Sequence, residues 1–66
     1  MRIRINGQER ELPGDTTLAG LLASLDLPGR RVAVERNGKI VTRADYEATV
    51  LAEDDRLEIV QFVGGG

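Results

Sequence analysis

Gly64, Gly65 and Gly66 follow directly on an apolar run, Leu57-Glu58-Ile59-Val60-Gln61-Phe62-Val63. The reactive group this arrangement offers is the α-carboxylate of Gly66, ionised at neutral pH and unhindered by side chains. Glycine carries no Cβ, so a partner's walls can close on such a backbone from every side. Three extended residues reach roughly 10 Å, enough to pass through a narrow channel into another protein's active site. Two plainer readings compete: an unstructured end and an appended linker. Against a linker stands the absence of any polar Ser or Lys spacer between the apolar run and the glycines.

The rest of the composition removes alternative chemistry. The chain has no cysteine and no histidine. Disulfides, thiol catalysis, cysteine- or histidine-ligated zinc and a Ser-His-Asp triad are all excluded. The lack of cysteine is consistent with a reducing compartment. No pair of acidic side chains has a spacing that argues for a shared acid/base site, so an independent enzyme is not expected. Nine basic and eleven acidic residues give a formal charge of −2, with Tyr46 and Phe62 the sole aromatics. That is no nucleic-acid footprint. Glu53, Asp54, Asp55 and Glu58 read as a solvated acidic turn, or else as a patch steering the domain to a basic groove. The segment MRIRING lacks the apolar core of a signal peptide, and no apolar stretch reaches membrane-spanning length. A soluble, cytoplasmic protein that binds no metal, nucleic acid or membrane is expected.

At 66 residues the chain makes one small domain, expected over residues 1–63, with 64–66 as a flexible tail. Met1, Ile3 and Ile5 alternate with Arg2 and Arg4, the period of a half-buried strand. Asn6-Gly7 predicts a type I′ turn into a return strand over 8–12, whose charges suit a sheet edge. Pro13-Gly14 breaks the chain before a helix capped by Asp15 or Thr16. Leu18, Leu21, Leu22 and Leu25 form its apolar stripe, with Gly20 facing outward and Leu27-Pro28-Gly29 stopping it. Val32–Glu35, a second turn at Asn37-Gly38 and Lys39–Val41 predict another hairpin. Thr42–Tyr46 reads as a short helical turn capped by Thr42. Val50-Leu51 adds a short pairing segment, and Asp54-Asp55 turns the chain into a last strand over 56–63.

This order predicts an α+β fold, a mixed sheet of about five strands packed on one helix. The last strand should run parallel to the first in the sheet centre, as in the β-grasp arrangement of ubiquitin. Leu57 and Ile59 then face the helix, whereas Val60 and Phe62 lie on the open face. Val60 and Phe62 are therefore candidate docking contacts beside the tail, unless Phe62 is buried against the sheet edge. Ordering three glycines costs roughly 3–6 kcal/mol, which a docking patch would offset.

Taken together, the length, the strand order, Val34-Glu35-Arg36-Asn37 and the ending Val60-Gln61-Phe62-Val63-Gly64-Gly65-Gly66 resemble the ThiS family, the sulfur carriers of thiamine biosynthesis. The likeness covers the whole chain. It implies that an ATP- and magnesium-using, ThiF-like enzyme adenylates the Gly66 carboxylate. A sulfur donor, a cysteine desulfurase or a related protein, would then convert it to a thiocarboxylate. A ThiG-like thiazole synthase would accept the sulfur, with Gly64 and Gly65 threading into the partners. No cofactor is implied for the chain itself, which has no phosphate-binding glycine-lysine motif. Other acceptors (molybdopterin, tRNA thiolation, cysteine synthesis) share the same terminal chemistry. A ubiquitin-like modifier joined to lysines through Gly66 and a plain interaction domain are further alternatives.

Overall fold

The computed structural model describes residues 1–62, so expectations for Val63, Gly64, Gly65 and Gly66 lie outside the described residues. Two Asn-Gly pairs shape the sheet. Asn6 and Gly7 have φ of 50° and 85°, and Asn37 and Gly38 have 52° and 85°. Positive φ at both central positions gives a turn whose twist matches the flanking strands. The first joins β1 (Arg2–Ile5) to β2 (Gln8–Glu11), and the second joins β3 (Val32–Arg36) to β4 (Lys39–Val41). The final strand, β5 (Arg56–Gln61), enters between the two hairpins, giving the order β2-β1-β5-β3-β4. It runs parallel to β1 and antiparallel to β3. The sequence pattern thus gives the correct strands, with the charged β2 at an edge and β5 central. β5 stops at Gln61 because its pairing with β3 ends at Val32; Phe62 adds one more bond, its N–H to Arg31 O at 2.8 Å.

One face of this sheet presents Ile3, Ile5, Val32, Val34, Leu57 and Ile59, all buried. The helix α1 (Leu18–Ser24) covers them with Leu18, Leu21 and Leu22. Leu25, at the helix C-cap, is half-buried, while Gly20 faces solvent as its position on the stripe requires. Tyr46 and Leu51 complete the core. Each fully buried aliphatic side chain contributes about 1.5–3 kcal/mol, which a chain this short cannot spare.

Both helix ends differ from expectation. The N-cap is Thr17, not Asp15 or Thr16: its hydroxyl accepts the Gly20 N–H at 3.0 Å. A bridge to Val50 holds Thr17 in the extended conformation that a cap needs, whereas the Thr16 hydroxyl donates to Pro13 O. The first helical N–H groups are orphans in any helix. Here Leu18 donates to Thr49 O and Ala19 to Tyr46 O, so the helix start is docked on the loop before β5. At the other end the helix stops before Leu27-Pro28-Gly29. Asp26 takes φ of 57°, and the Asp26 and Leu27 N–H groups donate to Ala23 O and Leu22 O. That is a Schellman closure with aspartate in the place usually taken by glycine. The short 3₁₀ turn Arg43–Asp45 does follow Thr42, but the Thr42 hydroxyl donates to Asp45 Oδ2 rather than capping the turn.

Three polar side chains hold β5 in place. Asn6 Oδ1 accepts the Ile59 N–H at 2.8 Å, and Asn6 Nδ2 donates to Ile59 O at 3.1 Å. Because β1 turns away after Ile5, the amide supplies the rung that a continuing strand would have made. Asn37 acts likewise from the other side: its Oδ1 accepts the Arg56 N–H at 2.9 Å, and its own N–H donates to Arg56 O. Asp55 is the third, and it departs from the reading of Glu53, Asp54, Asp55 and Glu58 as a solvated acidic turn, which holds for the other three. It is buried, and its carboxylate accepts from Ala52 N–H, Arg36 Nε, Arg36 Nη2 and Asn37 Nδ2 at 2.8–2.9 Å. Glu53 is engaged as well, its Oε1 accepting the Arg2 N–H. Burial pushes the Asp55 carboxyl up, but the Ala52, Asn37 and Arg36 hydrogen bonds and the Arg36 charge outweigh it. The net effect holds the group below the ordinary aspartate value of 3.8.

Asn6→Gly keeps the turn conformation and removes both amide bonds. It should cost about 1–3 kcal/mol in denaturant unfolding, and an unchanged midpoint would refute the clamp. The pH dependence follows from the lowered Asp55 value. Its stabilisation is complete above the unfolded-state pKa and is lost as pH falls through the lower folded-state pKa. The unfolding midpoint should therefore drop in strong acid, and Asp55→Asn should be less stable at neutral pH and flatten this acid limb.

Candidate functional site: the open sheet face

The helix covers one face of the sheet and leaves the other in water. Strand alternation decides which residues stand on it, and the register aligns them in rows. In the first row Glu9, Arg4 and Arg56 are neighbours across β2, β1 and β5. Arg4 reaches Glu9 at 3.8 Å and Arg2 reaches Glu11 at 3.6 Å, exposed pairs worth little energetically. In the second row Glu58 on β5 stands opposite Glu35 on β3, which stands opposite Ile40 on β4. The third row is Val60 opposite Ala33. Phe62 follows on the same side, last before the glycines.

Val60 and Phe62 are 58% and 54% exposed, so the alternative that Phe62 is sealed within the domain does not hold. Ile40 is exposed further, at 71%, and was not singled out from the sequence. The signal was present: a two-residue Asn37-Gly38 turn places residue 40 opposite residue 35, on the face opposite to Val34. Ile40 flanks the second row, whereas Ala33, Val60 and Phe62 form an apolar zone at the C-terminal end of β5. Behind it lies an acidic pair, and behind that a basic row.

The acidic pair is electrostatically unfavourable. Like charges directly opposite in a sheet destabilise it. Neither Glu35 nor Glu58 is in an ion pair or a side-chain hydrogen bond among the described residues. Elsewhere, an open groove of about 450 Å³ on the helix side is lined by Ala19, Leu22, Leu27 and Tyr46 with the single carboxylate Asp26. Such a lining offers no acid/base pair for catalysis. None of the helices among the described residues is long and apolar enough to cross a membrane.

Residues 3–66 match the ThiS family. The chain is 42% identical over 65 residues to the sulfur carrier protein ThiS of Bacillus subtilis, covering 97% of this chain and 98% of that one. It is 48% identical over 66 residues to a thiazole synthase of Magnetococcus marinus, and there it spans only about a fifth of the relative's length. The crystal structure of the thiamine biosynthesis protein ThiS from Geobacter metallireducens superposes with a TM-score of 0.84 over the full length of both chains, at 29% identity. Sequence and fold therefore agree, and the chain belongs to the ThiS family, sulfur carriers of thiamine biosynthesis built on the ubiquitin-like β-grasp fold.

Proposed function

We propose that this chain carries sulfur as a thiocarboxylate on the Gly66 carboxyl carbon and donates it for thiazole formation. The observation that carries the reading is a family match that runs through to Gly66. A free carboxylate is a poor acyl donor. A ThiF-like enzyme, using its own ATP and magnesium, converts it to an acyl-adenylate and releases pyrophosphate. The outer sulfur of a persulfide carried by a cysteine desulfurase or a related donor then attacks the acyl carbon, and AMP leaves. A second thiol cleaves the resulting S–S bond, which frees the thiocarboxylate and leaves a disulfide. The chain itself is a co-substrate and needs neither a catalytic side chain nor a bound cofactor.

The remaining residues serve delivery. Gly64 and Gly65 keep the approach to the partner's active site slender, and Val60 and Phe62 dock the domain body. Docking raises the effective concentration of the tail at the reacting centre and offsets the entropy of ordering it. A ThiG-like thiazole synthase is the acceptor this reading favours, supported by the relative of that name into which a homologous segment is built. The setting is cytoplasmic, where ATP and the sulfur donor are at hand.

Incubation with a ThiF-like enzyme, ATP, magnesium and sulfide should exchange one oxygen for sulfur in the intact mass, mapped to Gly66. An unchanged mass beside an active control carrier would sink the reading. Gly65→Val should slow conversion about a hundredfold by displacing the acyl carbon, with the unfolding midpoint unchanged. Conversion of that variant at the wild-type rate would show that the channel is not narrow.

A further inference from the structure

β1 ends at Ile5, and among the described residues no strand continues its line beside the last part of β5. The register decides which backbone groups this leaves open. Phe62 bonds to Arg31 and Asn37 to Arg56, so the bonded pairs of β3 and β5 recur at Phe62, Val60, Glu58 and Arg56. The residues between them, Leu57, Ile59 and Gln61, turn their N–H and C=O towards the β1 side. Leu57 O accepts the Asn6 N–H, and the Asn6 amide serves both groups of Ile59. Gln61 comes next and is exposed. Neither its N–H nor its C=O has a partner among the described residues.

A second, independent feature lies beneath the same place. Gln61 lines an open groove of about 420 Å³ whose apolar wall is Ile5, Leu25, Leu27 and Ile59. Ile5 and Gln61 are the last residues of β1 and β5, so the groove runs under the line that β1 leaves. Unpaired edge groups template the pairing of another strand. Such pairing supplies affinity through the backbone, and a pocket beneath it selects the alternate side chain.

Within the proposed delivery role, on which this inference rests, we infer that the enzyme activating Gly66 adds an extended segment to the sheet at Gln61, in line with β1. That segment accepts the Gln61 N–H, donates to the Gln61 C=O, and places an apolar side chain in the groove over Leu25 and Leu27. The side chains before and after it point to the opposite face, beside Val60 and Phe62. The exit edge of a second copy would offer only its own Gln61, because the Asn6 amide already occupies Ile59 in every copy. Gln61 lies five residues before Gly66, so the added segment grips β5 from its open side close to the reacting carboxylate.

Amide hydrogen exchange reads this edge in the wild-type protein. In the free domain the Gln61 N–H should exchange about tenfold faster than those of Val60 and Phe62, which pair with the β3 side. A saturating ThiF-like adenylating enzyme should slow the Gln61 amide about tenfold. An unchanged Gln61 rate in that complex overturns the inference. Steady-state thiocarboxylation with ATP, magnesium and sulfide gives a second readout. Gln61→Pro removes an N–H that the β3 ladder does not use, and proline is tolerated at such an edge. It should raise KM for the carrier about tenfold with kcat unchanged, whereas Gln61→Ala, which keeps the N–H, should match the wild type. Equal KM values for the two variants overturn the inference, and conversion of the wild type then leaves the Gly66 reading standing. If the wild type itself is not converted, the Gly66 reading falls and takes the inference with it. A free domain that sediments as a dimer with its Gln61 amide already protected assigns the edge to a second copy and also overturns the inference.

Discussion

The structure depends on holding β5 from both sides. Its six residues form the last strand yet occupy the centre of the sheet, with β1 on one side and β3 on the other. A central strand left partly unpaired would bury polar groups at a cost of about 1–3 kcal/mol each. β1 is only four residues long and turns away too early to serve all of β5. The Asn6 amide fills the gap by acting as a peptide group at the next rung, and Asn37 does the same at the opposite end. Each asparagine thereby carries two constraints at once, the left-handed backbone of the turn and the completion of the ladder.

Holding β5 this firmly gives the strand two separate tasks on its two faces. Leu57 and Ile59 tie it to the core, and Val60 and Phe62 are left over on the far side. Because the same backbone carries both sets, an exposed contact on β5 is as rigid as the core beneath it. A partner that met Val60 would therefore meet a fixed frame. Side chains on a loop would offer no such reference, since their positions would have to be ordered on binding.

The strand order, the edge position of β2 and the inward face of β5 could be read from Ile3/Ile5, Asn-Gly pairs and Leu57/Ile59 because these signals are local and periodic. The helix caps could not. Asp15, Thr16 and Thr17 are all good cap residues by type, and the choice among them falls to a long-range bridge with Val50 that no local pattern encodes. The helix end at Asp26 was hidden because aspartate there adopts a conformation more typical of glycine. Asp55 was the largest departure. In sequence it belongs to a run of acids, and its burial depends on Arg36 and Asn37, nineteen and eighteen residues away. The exposed apolar positions Val60 and Phe62 were legible from the alternation of the last strand, whereas Ile40 lies in β4, a three-residue strand with too little alternation to assign a face.

The Asp55 network does more for this domain than its energy alone suggests. A shift of β5 by one residue would turn Glu58 and Val60 inward and Leu57 and Ile59 out. Hydrophobic burial opposes such a slip, because only one face of the sheet is buried. A carboxylate that must meet Ala52, Arg36 and Asn37 together has only one position that satisfies all three. A displaced Asp55 would leave a buried charge unpaired, which is far costlier than a poorly packed valine. The polar anchor at the start of β5 therefore dictates which side chains reach the open face at its other end. The residue that sets register thus decides that Glu58 and Val60 stand in water while Leu57 and Ile59 stay in the core.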